Sequence, residues 1–249
     1  MNRLALICLL AAPLLADDAR SLVAEAQKRA QAQSQRYEGT LEVFSSKRSV
    51  SAKRWVYERL GSAGQSKAVL RFTAPAEVKG VALLIHNHAE RASDQWMWTP
   101  ATSRDRRIAF QDRRTRFFGT DFTFEDLEER DVDKNEYKML GEESVDGADC
   151  WKIEAAPKPE THSQYTRMVI WLRKDNYVFA RVECFVKNEL VKRLNYSNIE
   201  KVQGVWSARQ LEMNDIKAGS RTVLKLEKLE YNVTLPADNF TLQALRRES

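Results

Sequence analysis

The 249-residue sequence is poor in the small and reactive residues from which many catalytic sites are built, with only nine glycines and three cysteines. It contains no glycine-rich phosphate loop and no serine in a nucleophile-elbow pattern, and no cysteine has a credible histidine partner. These absences argue against the common nucleotide-binding and hydrolase classes. We therefore predict that the chain is not an enzyme and that it needs no cofactor.

Long hydrophobic runs are also missing, apart from one at the N-terminus. Arg3 precedes an apolar run from Leu4 to Leu15, which is shorter than the roughly 20 residues that a membrane-spanning helix needs. Such a run is typical of a secretory signal peptide, which we place at residues 1–16, with cleavage after Ala16. No cysteine stands at the cut, so we expect no lipid anchor. Residues 17–249 are then expected to form one soluble, exported domain without a transmembrane segment.

A strong excess of one charge is absent as well. The chain has 40 lysines and arginines against 35 acidic residues, for a formal net charge of +5. A dedicated nucleic-acid-binding protein usually shows a stronger imbalance, and export removes most nucleic acids from reach. We predict no nucleic-acid partner.

What the sequence does contain is a long series of segments that alternate with a period of two. Aromatic and β-branched residues mark these segments, and turn sequences separate several of them. Sequential strands with short connections favour an antiparallel meander, so the expected fold class is mainly β. The predicted strands are residues 37–46, 52–60, 67–73, 81–87, 95–99, 106–110, 137–143, 151–155, 166–172, 179–186, 191–199, 206–214 and 222–233.

Helical segments are predicted at both ends and in the middle of this series. Residues 18–34 are rich in good helix formers, with Leu22, Ala26 and Ala30 at helical spacing. Residues 117–129 predict a loop that leads into a short helix, with Asp121 or Thr123 as the N-cap. Residues 236–247 predict a short C-terminal helix.

Several of the predicted strands carry apolar residues on both faces. In residues 166–172, Met168, Ile170 and Leu172 lie on one face, whereas Val169 and Trp171 lie on the other. A large curved sheet with helices on its concave face would bury one side. A hydrophobic cavity inside such a sheet is a recognised place for one small apolar ligand.

Two cysteines, Cys150 and Cys184, follow the predicted signal peptide. They fall on predicted strands that flank a common neighbour, so about 9 to 10 Å separates the two strands. That distance exceeds the Cα separation of about 7 Å that a disulfide can bridge. We predict that the two cysteines are not bonded to each other.

Large rings and positive charges lie side by side between residues 93 and 127. Alternation within residues 95–99 puts Trp96 and Trp98 on one face. They are either core anchors or the lining of a ligand cavity, and in a half-barrel the two roles overlap. The candidate lining of an apolar cavity is Trp96, Trp98, Phe117, Phe118, Phe122 and Trp171.

Six arginines follow within residues 104–116. This basic run is either a solvated sheet edge, where charge discourages edge pairing, or an anion site, because guanidinium groups bind phosphate and carboxylate. Beside an apolar cavity, the second interpretation describes recognition of an amphiphile. Arg104, Arg106 and Arg107 are then the candidates for contact with an anionic headgroup or an acidic partner.

Two further groups of residues have the composition of chemical sites. His86 and His88 lie two apart on a predicted strand and share a face, but no third ligand is obvious, and zinc usually needs three or four. We therefore predict no metal site. The acidic residues between 125 and 129 are paired carboxylates for hydrolysis or the start of a helix, where the dipole favours them; we favour the helix start.

One stretch resembles a known family. The segment WTPATSRDRRI at residues 98–108, followed by FFGTDFTFEDL at residues 117–127, resembles the bacterial outer-membrane lipoprotein-sorting proteins, the LolA/LolB-like group. The shared pattern is an aromatic strand that ends at Pro100, a basic turn that closes on Ile108, and a Gly-Thr-Asp-Phe-Thr motif that begins at Gly119. With the signal, the N-terminal helix and the strand series, the resemblance covers nearly the whole mature chain.

The resemblance implies an incomplete antiparallel β-barrel of about eleven strands wrapped around short helices, with an apolar cavity on its concave side. It implies a periplasmic carrier or chaperone that binds the acyl chains of a lipid or lipoprotein for transfer toward the outer membrane. The implied partner is an inner-membrane transporter of the ABC or RND type. The alternative is a periplasmic sensor or interaction module of the same fold, similar to RseB, that regulates an envelope response.

Overall fold

The computed structural model describes residues 14–45, 49–62 and 64–247 of the chain. Residues 1–13, which include most of the predicted signal peptide, lie outside this part. The described strands are β1 (Ser34–Phe44), β2 (Ser49–Leu60), β3 (Lys67–Ala74), β4 (Ala82–His86), β5 (Asp94–Thr99), β6 (Arg104–Arg107), β7 (Asn135–Val145), β8 (Ala148–Pro157), β9 (Arg167–Arg173), β10 (Phe179–Val186), β11 (Glu189–Val202), β12 (Val205–Asp215) and β13 (Ser220–Tyr231). The helices are α1 (Leu14–Arg29) and α2 (Leu242–Leu245).

The strands form one antiparallel sheet with the order β6-β5-β4-β3-β2-β1-β13-β12-β11-β10-β9-β8-β7. It consists of two meanders, β1–β6 and β7–β13, which are joined where β1 pairs with β13. The edge strands β6 and β7 do not pair with each other, so the sheet stays open. The predicted incomplete barrel is therefore confirmed, with thirteen described strands in place of about eleven.

Irregular pairing helps to curve this sheet. The register shifts at β-bulges in β1, β2, β7 and β10, and a bulge bends its strand and increases the local twist. Gly39 lies at the bulge between β1 and β13. A Cβ atom there would lie 2.1 Å from the carbonyl oxygen of Lys225, so the close approach of the two strands requires glycine.

The helices cover different faces of the sheet. On α1, Ala19, Val23 and Ala26 are buried in a cluster with residues of β8–β12 on the concave face. The last segment of the chain, with Phe240 and Leu245 fully buried, packs against β3, β4 and β5 on the convex face. The described residues include no helix that is both long and apolar enough to cross a membrane.

The two cysteines lie on opposite faces of the sheet. Cys184 on β10 pairs with Met168 on β9 and belongs to the concave cluster. Cys150 on β8 pairs with Arg173 and packs with Val145, Val169 and Trp171 on the convex face. Both are free thiols, which confirms the prediction that no bond joins them.

Candidate functional site

The connection between the two edge strands, residues 108–134, crosses the concave side of the sheet. Its residues Ile108, Phe117 and Phe124 are buried against the β1–β4 half, and Phe122 is buried against the β8–β12 half. A short segment that is apolar at so many positions fills much of the interior, as the helices of a half-barrel would. We call residues 108–134 the inner loop.

The Gly-Thr-Asp-Phe-Thr motif attaches the inner loop to the sheet through hydrogen bonds. Gly119 adopts a positive φ of 72°, a conformation that glycine takes readily. The carboxylate of Asp121 is fully buried and accepts hydrogen bonds from the hydroxyls of Ser220 and Thr222 on β13. Thr222 in turn accepts a 2.8 Å hydrogen bond from the Asp121 backbone N–H. The prediction was Asp121 or Thr123 as an N-cap. Asp121 is not the cap, because its side chain reaches β13, whereas the Thr123 hydroxyl accepts a hydrogen bond from the Asp126 N–H.

A buried ion pair makes the second attachment of the inner loop. Lys192 of β11 places its Nζ 2.7 Å from Asp126 Oδ2 and 2.8 Å from the carbonyl oxygen of Asp121. Asp126 also accepts bonds from Thr123 and from the hydroxyl of Tyr165. The short helix predicted within residues 117–129 is only a 3-10 turn, Glu125–Leu127. The carboxylates of this turn hold the inner loop in place through hydrogen bonds and ion pairs. The helix dipole is not their main partner.

Between the inner loop, α1 and the concave face lies a cavity of about 890 Å³, which is near the upper end of the roughly 300–1,000 Å³ typical of small-molecule sites. Its apolar lining comes from both halves of the sheet. The lining includes Val23, Ala26, Tyr37, Trp55, Tyr57, Leu70, Ile85, Phe122, Leu127, Ala155, Met168, Ile170, Phe179, Leu211, Leu224, Leu226 and Leu229.

Aromatic contacts set the shape of the β1–β2 side of this cavity. Tyr37 stacks on Tyr57 with ring centroids 4.7 Å apart, and its other contact is edge-on with Trp55 at 5.4 Å. Burial raises the pKa of Tyr57 to about 12, so its hydroxyl stays neutral. These three rings are therefore uncharged and suited to contact with an apolar chain.

Charged side chains also line the cavity, and most of them are paired. Arg113 binds Glu128, and Arg59 places Nη1 3.3 Å from Glu129 Oε1. Glu125 accepts hydrogen bonds from the Ser163 hydroxyl and the Gln164 backbone N–H. Burial nevertheless raises the pKa of Glu125. These contacts fix the inner loop.

Arg130 differs from the other arginines of the cavity lining. It is exposed to water and lines the cavity. It shares that lining with Tyr137 of β7, Cys184 of β10 and Tyr196 of β11, and its charge acts on all three of these side chains. Nothing in the EERD charge run of the sequence distinguishes Arg130 from its neighbours, so sequence reasoning missed it.

The six predicted lining residues lie in three different places: the cavity, the concave core and the convex face. Phe122 lines the cavity. Phe117 is buried in the concave core, where it stacks on Phe72 at 5.5 Å, and Phe118 packs beside it. Both belong to the inner loop and lie outside the cavity lining.

The three tryptophans of the prediction lie on the convex face. Trp96 and Trp98 pair with Leu84 and Ala82 and pack against the C-terminal segment, and Trp171 belongs to the convex cluster. Alternation was right about their shared face, but the placement in the cavity was wrong. Gln95 takes the concave side of β5, because the inner loop offers it the Phe124 carbonyl and Glu128 as hydrogen-bond partners.

The predicted basic residues lie on the edge strand β6 and do not line the cavity. Arg104 is exposed, Arg106 lies 3.3 Å from Asp112, and Arg107 lies 2.5 Å from Asp94. The placement agrees with the interpretation as a charged sheet edge, and contact with an anionic headgroup or an acidic partner stays a prediction.

The two histidines are engaged by other groups. His86 Nε2 lies 3.0 Å from the Phe240 carbonyl oxygen, and burial lowers its pKa. His88 Nε2 lies 3.0 Å from Asp94. Among the described residues, no cluster of three or more metal-ligating side chains forms.

A family model described as "Uncharacterized protein" matches residues 64–247. No curated protein matches the chain in sequence.

Solved structures share the fold over nearly the whole chain. A domain assigned to outer membrane lipoprotein sorting, from Vibrio parahaemolyticus, is 27% identical with a TM-score of 0.88 and covers 93% of this chain and 100% of its own. A DUF1329 family protein from Desulfovibrio piger is 29% identical with a TM-score of 0.87, over 92% and 98%. A LolA superfamily protein from Nitrosomonas europaea is 18% identical with a TM-score of 0.71, over 91% and 99%. The open half-barrel is thus LolA-like.

Proposed function

We propose that this chain, which belongs to the family whose model matches residues 64–247, is a carrier for the acyl chains of a lipid or lipoprotein. The observation that carries the proposal is the cavity of about 890 Å³ inside an open sheet, walled by apolar side chains from both halves. Burial of apolar surface stabilises a bound chain by about 25 cal/mol per Å². Such a cavity therefore favours a ligand that is mostly hydrocarbon.

The similar structures support this proposal, and they do not identify the cargo. One of them is assigned to lipoprotein sorting and another to the LolA superfamily, and neither description names an enzyme. We extend the proposal to export by a signal peptide at residues 1–16, to the periplasm, and to transfer toward the outer membrane. An inner-membrane transporter of the ABC or RND type is the proposed donor.

A cavity-filling substitution tests the proposal. Leu211 of β12 lines the cavity and packs against both concave clusters, so Leu211→Trp adds bulk at its centre. We expect the affinity for a fluorescent fatty acid to fall by about tenfold or more, because the ring occupies the space of the chain. Titration of the purified protein measures this.

The matched control lies one residue away on the same strand. Gln210 pairs with Lys225, which is exposed, and it does not line the cavity. Gln210→Trp should bind the probe as the unmodified protein does. Equal affinity in both variants, with equal thermal midpoints, would show that the cavity is not the binding site.

A further inference from the structure

The cavity is lined by one arginine that has no carboxylate partner among the described residues. Four arginines line it, and three of them have carboxylate partners: Arg29 with Glu25, Arg59 with Glu129, and Arg113 with Glu128. For Arg130, no described residue provides an ion pair or a hydrogen bond. The nearby carboxylate of Asp126 is occupied by Lys192.

The surroundings of Arg130 suit an anion. Burial raises the pKa of Tyr137 to about 12 and also raises the pKa of Tyr196, so both hydroxyls stay neutral and are able to donate. Both line the cavity with Arg130. A guanidinium and phenol hydroxyls together form the kind of donor set that binds a carboxylate or a phosphate.

The chemistry of arginine makes this arrangement selective. Arginine stays protonated in proteins, so Arg130 cannot become neutral by losing a proton. In an empty cavity, water solvates the guanidinium. A hydrocarbon chain that enters expels this water, and an unpaired charge in a dry site is strongly unfavourable. An amphiphile that brings its own anion removes that cost.

We infer that the cargo of the cavity is an amphiphile with an anionic headgroup, a carboxylate or a phosphate, which the guanidinium of Arg130 binds inside the cavity. This inference rests on the proposed carrier function and narrows its substrate class. The tail lies against the aromatic and aliphatic side chains of Tyr57, Trp55 and Leu226. Arg130 thus selects among ligands that share the same chain.

The test compares three ligands with one chain and different headgroups: hexadecanoic acid, hexadecyl phosphate and hexadecanol. Each displaces a neutral fluorescent probe from the purified full-length protein at about pH 8, where a carboxylic acid is ionised. We expect both anions to bind at least about tenfold more tightly than the alcohol. In Arg130→Gln this preference should disappear, while hexadecanol binds as well as before or better.

Two further variants separate charge from structure. Arg130→Lys keeps the charge and should retain part of the preference. Arg247→Gln makes the same change at an exposed arginine outside the cavity, and it should leave all three affinities unchanged. The thermal midpoint of Arg130→Gln should not fall, because no internal partner is lost.

The outcomes distinguish this inference from the proposed function. If none of the three ligands binds the unmodified protein, the carrier function itself fails. If all three bind equally and Arg130→Gln changes nothing, the carrier function stands and the anion site is refuted. If inorganic phosphate displaces hexadecyl phosphate at equal concentration, the site takes a free anion, and the assignment to an amphiphile is overturned. Preference for one of the two anions identifies which headgroup the site binds.

Discussion

Lys192 and Asp126 form the ion pair that joins the inner loop to the sheet. Their side chains are 8% and 3% exposed, and 2.7 Å separates Nζ from Oδ2. Removal of one partner from such a pair leaves an uncompensated buried charge, which typically costs about 3–5 kcal/mol. The pair therefore matters more for stability than the many exposed ion pairs on the convex face.

Replacement of this lysine tests the role of the pair. We expect Lys192→Met to lower the free energy of unfolding by about 3–5 kcal/mol, because Asp126 stays charged and buried. Urea unfolding measures the change. The double variant Lys192→Met with Asp126→Asn should recover part of the loss, since it removes the stranded charge.

An exposed pair provides the control. Arg221 Nη1 lies 2.9 Å from Glu212 Oε2, with side chains 48% and 24% exposed. Arg221→Met should change the free energy of unfolding by about 1 kcal/mol or less. A loss at Lys192 no larger than the loss at Arg221 would contradict the structural role of the buried pair.

Single residues also mark the limit of inference from sequence. Period-two alternation correctly grouped Trp96 with Trp98, but alternation alone does not say which face of a sheet is concave. Both faces of β4 and β5 are covered, one by the inner loop and the other by the C-terminal segment. The large apolar rings of β5 could therefore be buried on either face. Which face they take depended on where Gln95 forms its hydrogen bonds.

At the level of elements, the strands were predictable and the long connection was not. All thirteen predicted strand segments correspond to strands, because their alternation is regular. The least accurate was residues 106–110 against the observed Arg104–Arg107, in a stretch dominated by arginine. The inner loop has no period, and its path across the sheet depends on partners such as Thr222 and Lys192 that are about 70 to 100 residues away.

The bulge at Gly39 is the element whose geometry is most sensitive to one atom. A Cβ there would also lie 3.1 Å from Trp55 Nε1, beside the wall of the cavity. We expect Gly39→Ala to lower the free energy of unfolding by about 1–3 kcal/mol, because β1 and β13 must move apart. Urea unfolding against Thr40→Ala, a neighbour expected to change by about 0.5 kcal/mol or less, measures this effect. Equal stability of the two variants would show that the sheet accepts a side chain at the bulge.

At the scale of the whole molecule, an open sheet of thirteen described strands leaves its interior accessible. The unpaired edges β6 and β7 are connected by the inner loop, so the same segment that fills the interior also closes part of it. The sequence indicated the mainly β class and a curved sheet with a cavity. It did not indicate the cavity's charged residues, because Arg59, Arg113 and Arg130 face it from separate parts of the chain.

The carrier function predicts that the protein holds its cargo when it is isolated gently. Native mass spectrometry of the full chain, purified from cells without detergent, tests this most directly. We expect a species heavier than the bare chain by the mass of one lipid, and extraction with organic solvent should release an anionic amphiphile. A protein that is found only as the bare chain, and that takes up no added hexadecanoic acid or hexadecyl phosphate, would contradict the account.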